Sequence, residues 1–381
     1  MKELDLTMLK MAQGGRALAR LPDGRVCFVA GALTGETARV RILKEKKDFA
    51  EGAAVEISAP NAERVRPQCP FYGRCGGCSL QHASLKFQEQ SAREVARELF
   101  RRFAKEELPE SFKTHFGEPF GYRSRARFVR SGNAWGFRGE GSHSVTPVDA
   151  CPVLSAGLAE VLADGAEKFP HVQELSAFDN GEGRVSFYYK GMSASEFREK
   201  AGNEVRLEGK TLSMDASVFF QSNLGLLPEL VRTVRAAAGE GKLLIDLFSG
   251  VGFFAAFLED HFERVITVER DEGCLRHARR NLSPKAESVG APAEIWLAEH
   301  DARSADVLIV DPPRTGIPPG ALAVLCKTDI PKILYVSCDP VTLARDFAFF
   351  KKAGYNIRDA HGFGFYPQTP HFEMFLELCK G

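Results

Sequence analysis

Four cysteine residues stand at positions from which their thiolates could meet at one point. Cys69, Cys75 and Cys78 follow the pattern C-x5-C-x2-C, and the glycines between them allow a tight loop. Cys151 is the best candidate for a fourth ligand, because a proline follows it, as in many iron–sulfur loops. The set predicts a [4Fe–4S] cluster. A zinc site and a group of buried free thiols are the alternatives.

A glycine-containing segment, Asp246 to Phe253, follows an apolar strand and opens a helix. Its glycines let the backbone approach a ligand at the helix N-terminus. Glu269 ends the next strand, where it could accept hydrogen bonds from both hydroxyls of a ribose. Dinucleotide and S-adenosylmethionine sites share these features. The loop that begins with Asp311-Pro312-Pro313 favours S-adenosylmethionine, because enzymes that use this cofactor often carry an acid-Pro-Pro loop there.

One further cysteine, Cys338, follows the apolar strand Ile333 to Ser337. It therefore lies at the strand end where open α/β sheets bind ligands. Pro340 begins a helix directly after it, and a helix N-terminus lowers the pKa of a thiol. These neighbours predict a nucleophile, although an isolated cysteine would more often be a small core residue. The cysteines without such context are expected to be core residues: Cys27, Cys274, Cys326 and Cys379.

A proline-rich segment near the end of the chain, Phe365 to Phe372, precedes the last strand. Glu373 follows it and could act as a general base, and His371 could be a second one. A lone glutamate on a strand is more often an ordinary surface residue. The two prolines stiffen this segment and so favour a defined position for the acidic side chain.

The length of the chain allows two or three domains, and we expect a protein of the cytoplasm. The chain has 381 residues, of which 44% are hydrophobic, and its 50 basic residues balance its 50 acidic residues. The overall charge therefore gives no indication for or against a nucleic-acid partner. We expect no membrane span, because no apolar run of about 18 residues occurs, and no signal peptide. Nine cysteines in a reducing compartment are more often ligands, nucleophiles or core residues than disulfides.

The pattern of apolar residues divides the chain into three parts. Residues 1–60 read as short strands of a small β-barrel, and residues 61–212 as an α+β region that contains the cluster cysteines and a helix from about Ser84 to Glu106. Residues 213–381 alternate strands and helices, and their continuous apolar strands suit a parallel sheet buried on both faces. The predicted class is α/β.

Two groups of basic residues could contact RNA phosphates, or could simply be solvated or ion-paired surface. The first group lies in the N-terminal strands and comprises Arg39, Arg41, Lys44, Lys46 and Lys47. The second is a row of arginines at Arg123, Arg125, Arg127 and Arg130.

Together these motifs resemble the S-adenosylmethionine-dependent RNA uracil-C5 methyltransferases, in particular the ribosomal RNA branch with a TRAM domain and an iron–sulfur cluster. The resemblance runs almost end to end and implies an N-terminal TRAM-like barrel and a C-terminal Rossmann-like domain. It assigns cofactor binding to Gln221, Phe248, Glu269 and Asp311, nucleophilic attack to Cys338, and proton abstraction to Glu373. The implied cluster ligands are Cys69, Cys75, Cys78 and Cys151.

The resemblance also implies the reaction, methylation of C5 of a uridine in 23S ribosomal RNA through a covalent Cys338 adduct. A transfer RNA substrate is the alternative within this class, and a non-catalytic iron–sulfur RNA-binding factor is the alternative from another class. We expect a cytoplasmic monomer that does not associate with membranes. Three positions depart from the family pattern, and Phe253 puts one cofactor contact in doubt. The departures are Ser124, Ser249 and Phe253.

Overall fold

The computed structural model describes residues 2–381. The chain begins with a six-stranded sheet in the order β1-β5-β6-β4-β3-β2, in which only β4 and β6 run parallel. Its strands are β1 (Glu3–Thr7), β2 (Lys10–Ala12), β3 (Arg16–Arg20), β4 (Val26–Ala30), β5 (Thr37–Glu45) and β6 (Phe49–Ala59). Alternate residues of β3, β4 and β5 are buried in one apolar core, which also includes Leu80. The period-two pattern in the sequence therefore produced the expected strands.

The expectation of a closed small barrel is wrong for this sheet. Its edge strands β1 and β2, which Met8 and Leu9 join along the chain, do not pair with each other. Met8 exchanges backbone hydrogen bonds with the Gly35–Glu36 turn, whereas the Leu9 N–H donates to the Leu18 carbonyl. The first ten residues thus pair with β5 and then turn to pair with β3, so the sheet curls without a ladder that closes it.

The cysteine-rich segment that follows is irregular and leads into helix α1 (Leu85–Leu99), which continues as a π-helical turn, Phe100–Ala104. Ser84 caps the helix by accepting a hydrogen bond from the Phe87 N–H. The apolar residues of α1 pack against the large C-terminal core, and strand β7 (Lys113–Phe116) pairs with a C-terminal strand. This part of the chain is therefore integrated into the C-terminal sheet.

A second sheet, with the order β10-β9-β8-β11-β12, occupies the middle of the chain. Its elements are β8 (Arg125–Ser131), β9 (Ala134–Arg138), β10 (Val145–Pro147), α2 (Ala156–Lys168), β11 (Glu174–Asp179), β12 (Val185–Tyr188) and α3 (Ala194–Lys200). Helix α2 covers one face, where Phe128, Trp135 and Leu175 form a small core. A hairpin, β13 (Gly202–Leu207) and β14 (Lys210–Asp215), then packs against the C-terminal core.

The last part is an eight-stranded, mostly parallel sheet with helices on both faces. Its elements are α4 (Leu227–Ala238), β15 (Gly241–Leu247), α5 (Phe253–Leu258), β16 (Phe262–Glu269), α6 (Glu272–Asn281), β17 (Ala286–Gly290), α7 (Ala293–Glu299), β18 (Val307–Val310), α8 (Pro319–Leu325), β19 (Lys332–Ser337), α9 (Pro340–Lys352), β20 (Tyr355–Gly364) and β21 (Glu373–Lys380). The strand order is β17-β16-β15-β18-β19-β21-β20-β7, and β21 is antiparallel to its neighbours. The expected Rossmann-like architecture is present.

Neighbouring residues of the central strands face different cores. In β15, Leu243, Ile245 and Leu247 pack on one side of the sheet, and Leu244 packs on the other. Burial on both faces explains why these strands are continuous apolar runs. Between residues 2 and 381, no helix is both long enough and apolar enough to cross a membrane.

Candidate active site and cysteine-lined cavity

A cavity of about 540 Å³ opens at the carboxyl ends of the parallel strands β15, β16, β18 and β19. Open α/β sheets bind their ligands at this edge, and the volume lies in the range typical of small-molecule sites. The six residues expected to bind the cofactor or to react all line this one cavity: Gln221, Phe248, Glu269, Asp311, Cys338 and Glu373.

The glycine loop forms one wall of the cavity and has an unusual backbone. Phe248 has φ of 61°, a left-handed conformation that a bulky residue rarely adopts, and Gly252 has φ of 76°. A Cβ at Gly252 would also lie 3.4 Å from the backbone of Ala278 in α6. The Gly250 N–H donates to Glu269 at 3.0 Å, and the Asp271 N–H donates to the other oxygen of that carboxylate at 2.7 Å. The acidic side chain is thus fixed with lone pairs still available.

Three buried polar atoms around the loop have no hydrogen-bond partner within residues 2–381. They are Gln221 Oε1, Asp246 Oδ1 and Ser249 Oγ. Buried polar atoms are almost always paired. Gln221 and Ser249 line the cavity, so their two atoms are available to a ligand bound there. Together with the fixed carboxylate of Glu269, the set fits the adenosyl and amino-acid groups of S-adenosylmethionine. Burial raises the pKa of Asp246 to about 8.

Strand pairing brings the expected nucleophile and the expected base together. In the antiparallel ladder of β19 and β21, Ser337 pairs with Met374, so Cys338 and Glu373 are the next residues along the two strands. Glu373 is buried, and Gln221 Nε2 donates to its Oε2 at 3.4 Å. Burial and the neighbouring Asp311 raise the pKa of Glu373 to about 8. The lone glutamate is therefore not an ordinary surface residue.

The thiol of Cys338 does not have the lowered pKa expected from the following helix. Burial, with smaller contributions from Glu373 and Asp311, raises its pKa to about 11. The helix N-terminus serves another group, because the Asp339 carboxylate accepts hydrogen bonds from the N–H groups of Val341 and Thr342. Without a ligand, the site therefore favours the neutral thiol.

His371, the second candidate base, does not line this cavity. It lies at the surface, at the edge of a separate small cavity next to α1. The residues that sequence reasoning did not assign but that line the active cavity include Arg314, and Phe219, which is 61% exposed at the rim. The arginine could have been found from its place in the Asp-Pro-Pro-Arg loop, whereas the exposure of one ring in a Phe-Phe pair leaves no signal in the sequence.

The four cysteines of the N-terminal half line a second, smaller cavity. The Gly77 N–H donates to Cys75 Sγ at 3.4 Å. A side chain at Gly76 would collide with the backbone, since a Cβ would lie 2.7 Å from the Glu140 nitrogen and 2.8 Å from the Arg138 oxygen. The cavity thus depends on close approach of the cysteine loop to β9. The four thiols that line it are those of Cys69, Cys75, Cys78 and Cys151.

The walls of this cavity suit a cluster held by thiolates in an apolar setting. Phe71, Phe137 and Val148 contribute carbon surface, and Arg123 is the cation among the lining residues. Burial raises the pKa of Cys78 to about 11 and also raises that of Cys151. In residues 2–381, no group of three or more His, Cys, Asp or Glu side chains is arranged to bind a metal ion. Four thiols are a donor set of the kind that iron–sulfur clusters use, but among the described residues a metal site is not preformed.

The row of arginines does not form one surface for RNA. Arg125 is largely buried, and its Nη2 donates to the Ala216 carbonyl. Arg130 donates to carbonyls of the α2 region and lies over the ring of Trp135, 4.9 Å from its centroid. Arg127 is exposed, with one ion pair at 3.8 Å to Glu174.

The N-terminal basic group is partly neutralised as well. Arg41 pairs with Glu3 at 3.0 Å, and Arg39 lies 3.6 Å from Asp5 and 3.5 Å from Glu56. Arg39 and Arg41 thus form exposed ion pairs, which agrees with the alternative that this face is ion-paired surface.

Comparison with known proteins places this geometry among RNA methyltransferases. A family model described as tRNA (Uracil-5-)-methyltransferase matches residues 293–380, and a TRAM domain model matches residues 2–55. The chain is 32% identical to the 23S rRNA (uracil(1939)-C(5))-methyltransferase of Halomonas elongata over 98% of its own length and 89% of that protein. It is 30% identical to an uncharacterized RNA methyltransferase of Treponema denticola over 96% of both chains.

A solved structure shares the whole fold. The tRNA (uracil-54, C5)-methyltransferase of Pyrococcus abyssi, in complex with S-adenosyl-L-homocysteine, superposes with a TM-score of 0.77 over 98% of this chain and 100% of that chain, at 23% identity. From the full-length relatives, the two family models and this fold, we conclude that the chain belongs to the S-adenosylmethionine-dependent RNA uracil-C5 methyltransferases and is an enzyme of that family.

Proposed function

We propose that the protein methylates C5 of a uridine in 23S ribosomal RNA through a covalent adduct with Cys338. The adjacency of Cys338 and Glu373 at the end of the β19–β21 ladder, inside the cofactor cavity, carries this proposal. The relatives that are 30–32% identical over 92–98% of this chain include 23S ribosomal RNA enzymes. They support the choice of RNA.

Cys338 begins the reaction because C5 of uracil is too weak a nucleophile by itself. The Cys338 thiolate adds to C6, and the electrons of the C5=C6 bond move through the ring to O4 as an enolate. C5 then has the electron density to attack an electrophilic carbon. The target base has to lie outside a helical stack, either flipped or single-stranded, to reach this cavity.

The walls of the cavity hold the methyl donor for that attack. S-adenosylmethionine, when bound, supplies a methyl group on a positively charged sulfur that leaves as a neutral thioether. Gln221 and Glu269 would hold its polar groups, and Phe248 would pack against it. Asp311, at the end of β18, lies on the same wall and would contact the cofactor or the uracil ring. These residues would orient the methyl group of the donor toward the uracil ring.

Glu373 completes the reaction. After methyl transfer, C5 carries both the methyl group and its original proton. The Glu373 carboxylate takes that proton, the C–H electrons re-form the C5=C6 bond, and the bond between C6 and Cys338 breaks to release the thiolate. Gln221 donates to the carboxylate and orients it.

We assign a structural task to a [4Fe–4S] cluster held by Cys69, Cys75, Cys78 and Cys151. A methyl transfer needs no electron carrier, whereas a small domain with little core of its own benefits from a cross-link. Anaerobically purified protein should be brown, with iron and sulfide in equal amounts. Colourless protein with stoichiometric zinc would show that the four cysteines bind zinc and not a cluster.

Two variants and two RNAs test the proposed reaction. Cys338→Ala should abolish both methylation and the covalent RNA adduct, and Glu373→Gln should slow turnover and accumulate the adduct. Methylation by Cys338→Ala would overturn the mechanism. Unmodified 23S ribosomal RNA and unmodified transfer RNA transcripts, followed by mass mapping of 5-methyluridine, identify the substrate.

Transfer RNA is the second candidate, because the family model that matches residues 293–380 is named for it. A non-catalytic RNA-binding factor is disfavoured by the intact pair Cys338 and Glu373, and single-turnover methyl transfer distinguishes the two. We further propose that the enzyme works as a cytoplasmic monomer. Its TRAM part would be residues 1–60, its cluster part residues 61–212 and its catalytic part residues 213–381.

A further inference from the structure

The segment just before Glu373 is held in place by parts of the chain outside the methyltransferase sheet. Gln368, in the middle of the segment, is buried and has φ of 70°. A left-handed conformation is unfavourable for a residue with a side chain and persists only where the surrounding contacts enforce it. Those contacts therefore determine the path of the backbone into β21.

The cysteine-rich segment provides the first set of contacts. The N–H groups of Ser79 and Leu80, which directly follow Cys78, both donate to the Gln368 carbonyl, at 3.0 and 2.9 Å. Tyr122, from the same half of the chain, donates its hydroxyl to the Pro367 carbonyl at 2.8 Å.

Gln88 of α1 provides the second set through its side-chain amide. Its Oε1 accepts from the Gln368 N–H at 2.8 Å, and its Nε2 donates to Gln368 Oε1 at 3.1 Å. The same Nε2 also lies within bonding distance of the Leu80 and Ala83 carbonyls, at 3.3 and 2.9 Å. Gln88 is 3% exposed. One buried amide thus joins the helix, the end of the cysteine segment and the segment before the base.

We propose that Gln88 and Gln368 are positioning residues for Glu373, and that the cysteine-rich segment supports them through Ser79 and Leu80. This inference rests on the proposed role of Glu373 as the base. It gives the cysteine region a task in catalysis that needs no electron transfer, namely to hold the proton acceptor at C5. Addition of Cys338 to the uracil does not depend on the Gln88–Gln368 contact, because Cys338 lies between β19 and α9.

The proposal predicts a selective defect, and a pair of RNAs can isolate it. With ordinary uridine, turnover requires removal of the C5 proton. With 5-fluorouridine, C5 carries fluorine instead of a proton, so addition and methyl transfer proceed and the adduct remains without any action of the base. The rate at which the covalent adduct forms on a 5-fluorouridine 23S transcript therefore measures the activity of Cys338. The rate of 5-methyluridine formation on the uridine transcript measures the activity of both Cys338 and Glu373.

The test variant is Gln88→Met, which keeps the side-chain volume and removes the hydrogen bonds. Methylation should fall by about 10- to 100-fold, because small misplacement of a reacting group costs this much. Adduct should accumulate on uridine RNA, and 5-fluorouridine trapping should stay within about twofold of the wild-type rate, because the hydrogen bonds of Gln88 do not involve Cys338. Gln90→Met is the matched control, because Gln90 is exposed on the same helix and bonds only to Glu94.

The outcomes separate this inference from the proposed reaction. Normal turnover by Gln88→Met, or equal losses in both assays, would overturn the positioning role and leave the mechanism intact. Failure of wild-type protein to trap 5-fluorouridine RNA would instead overturn the adduct. If Gln88→Met does not fold, Gln368→Gly carries the test, because glycine accepts the positive φ and lacks the side-chain bond to Gln88.

Amide hydrogen exchange tests the support from the cysteine segment without an activity assay. Cys78→Ser should accelerate exchange at the Gln368 N–H, which donates to Gln88. The Ala360 amide in β20, outside this contact, is the reference. Unchanged exchange at Gln368 would remove the cysteine segment from the proposal.

Discussion

A positively charged ligand in the active cavity should lower the pKa of Cys338. The ligand-free site holds this pKa at about 11 through burial and through the carboxyls of Glu373 and Asp311. At pH 8 only about one thiol in a thousand is then ionised. The nucleophile is nearly absent until something in the cavity stabilises a negative charge, and S-adenosylmethionine brings a positive sulfur into the same space.

The magnitude follows from general electrostatics. An opposite unit charge within about 4–6 Å lowers a pKa by about one to three. Such a change raises the thiolate fraction of Cys338 at pH 8 by about 10- to 500-fold, since each step of one in pKa is a factor of ten until the pKa approaches the pH. S-adenosylhomocysteine occupies nearly the same volume but carries a neutral sulfur, so it should leave the pKa almost unchanged.

Alkylation with iodoacetamide measures this effect, because only the thiolate reacts. The rate at Cys338, followed by peptide mass spectrometry between pH 6.5 and 9.5, should rise at least about tenfold with S-adenosylmethionine. Cys326, which is partly buried at the C-terminal end of α8 and does not line the active cavity, serves as an internal reference whose rate should not change. The comparison with S-adenosylhomocysteine separates charge from shielding and from closure of the site.

Two results would refute this reasoning. Equal acceleration by both ligands would show that a conformational change, and not the charge, exposes or activates Cys338. A Cys338 rate that already matches a thiol of ordinary pKa in the ligand-free protein would show that burial and the neighbouring carboxyls do not suppress ionisation.

Three further predictions follow from the buried acids and the cysteine loop. Affinity for S-adenosylmethionine, measured by calorimetry, should rise as the pH passes through about 8, where Glu373 ionises, and affinity for S-adenosylhomocysteine should not. Because burial raises the pKa of Glu373, the wild-type fold loses stability as the pH rises from about 4.5 to 8. In denaturant titrations at pH 8, the free energy of unfolding of Glu373→Gln should therefore exceed that of the wild type by about 1–3 kcal/mol. Below pH 4.5 the two proteins should not differ. Gly76→Ala should lower the free energy of unfolding by about 2 kcal/mol and reduce the amount of bound iron, because its Cβ would collide with backbone atoms. Gly77→Ala should be tolerated, because its Cβ would be in ordinary contact with Cys75 Sγ at 3.5 Å.

The position of the reactive residues was predictable because each follows a strand in the sequence. Phe248, Glu269, Asp311 and Cys338 come at the carboxyl ends of apolar runs, and in a parallel sheet those ends share one edge. Local sequence is therefore enough to gather them in one cavity. Gln221 lies in no regular element of this kind, and its place depended on the family resemblance.

The remaining features depend on tertiary contacts that have no local pattern. The pKa of Cys338 was expected to fall because a helix follows it, but Asp339 satisfies the helix N-terminus, and burial, with smaller contributions from the carboxyls opposite, raises the pKa. Arg125 lies on the same face of β8 as Arg127, and only its hydrogen bond to the Ala216 carbonyl distinguishes this structural arginine from the exposed one. The open edge of the N-terminal sheet likewise depends on where Met8 and Leu9 turn.

The acids of the cavity have a common consequence for the order of binding. Glu373 and Cys338 are both predominantly neutral near pH 7 when the cavity is empty, so neither the base nor the nucleophile is in its reactive form. A cationic donor stabilises both ionised forms at once, and a neutral product withdraws that stabilisation. RNA that arrives first therefore meets almost no thiolate, and RNA that arrives after the donor meets at least about tenfold more of it. We expect productive turnover to require the donor before the RNA, and the released product to leave a site that has again taken up protons.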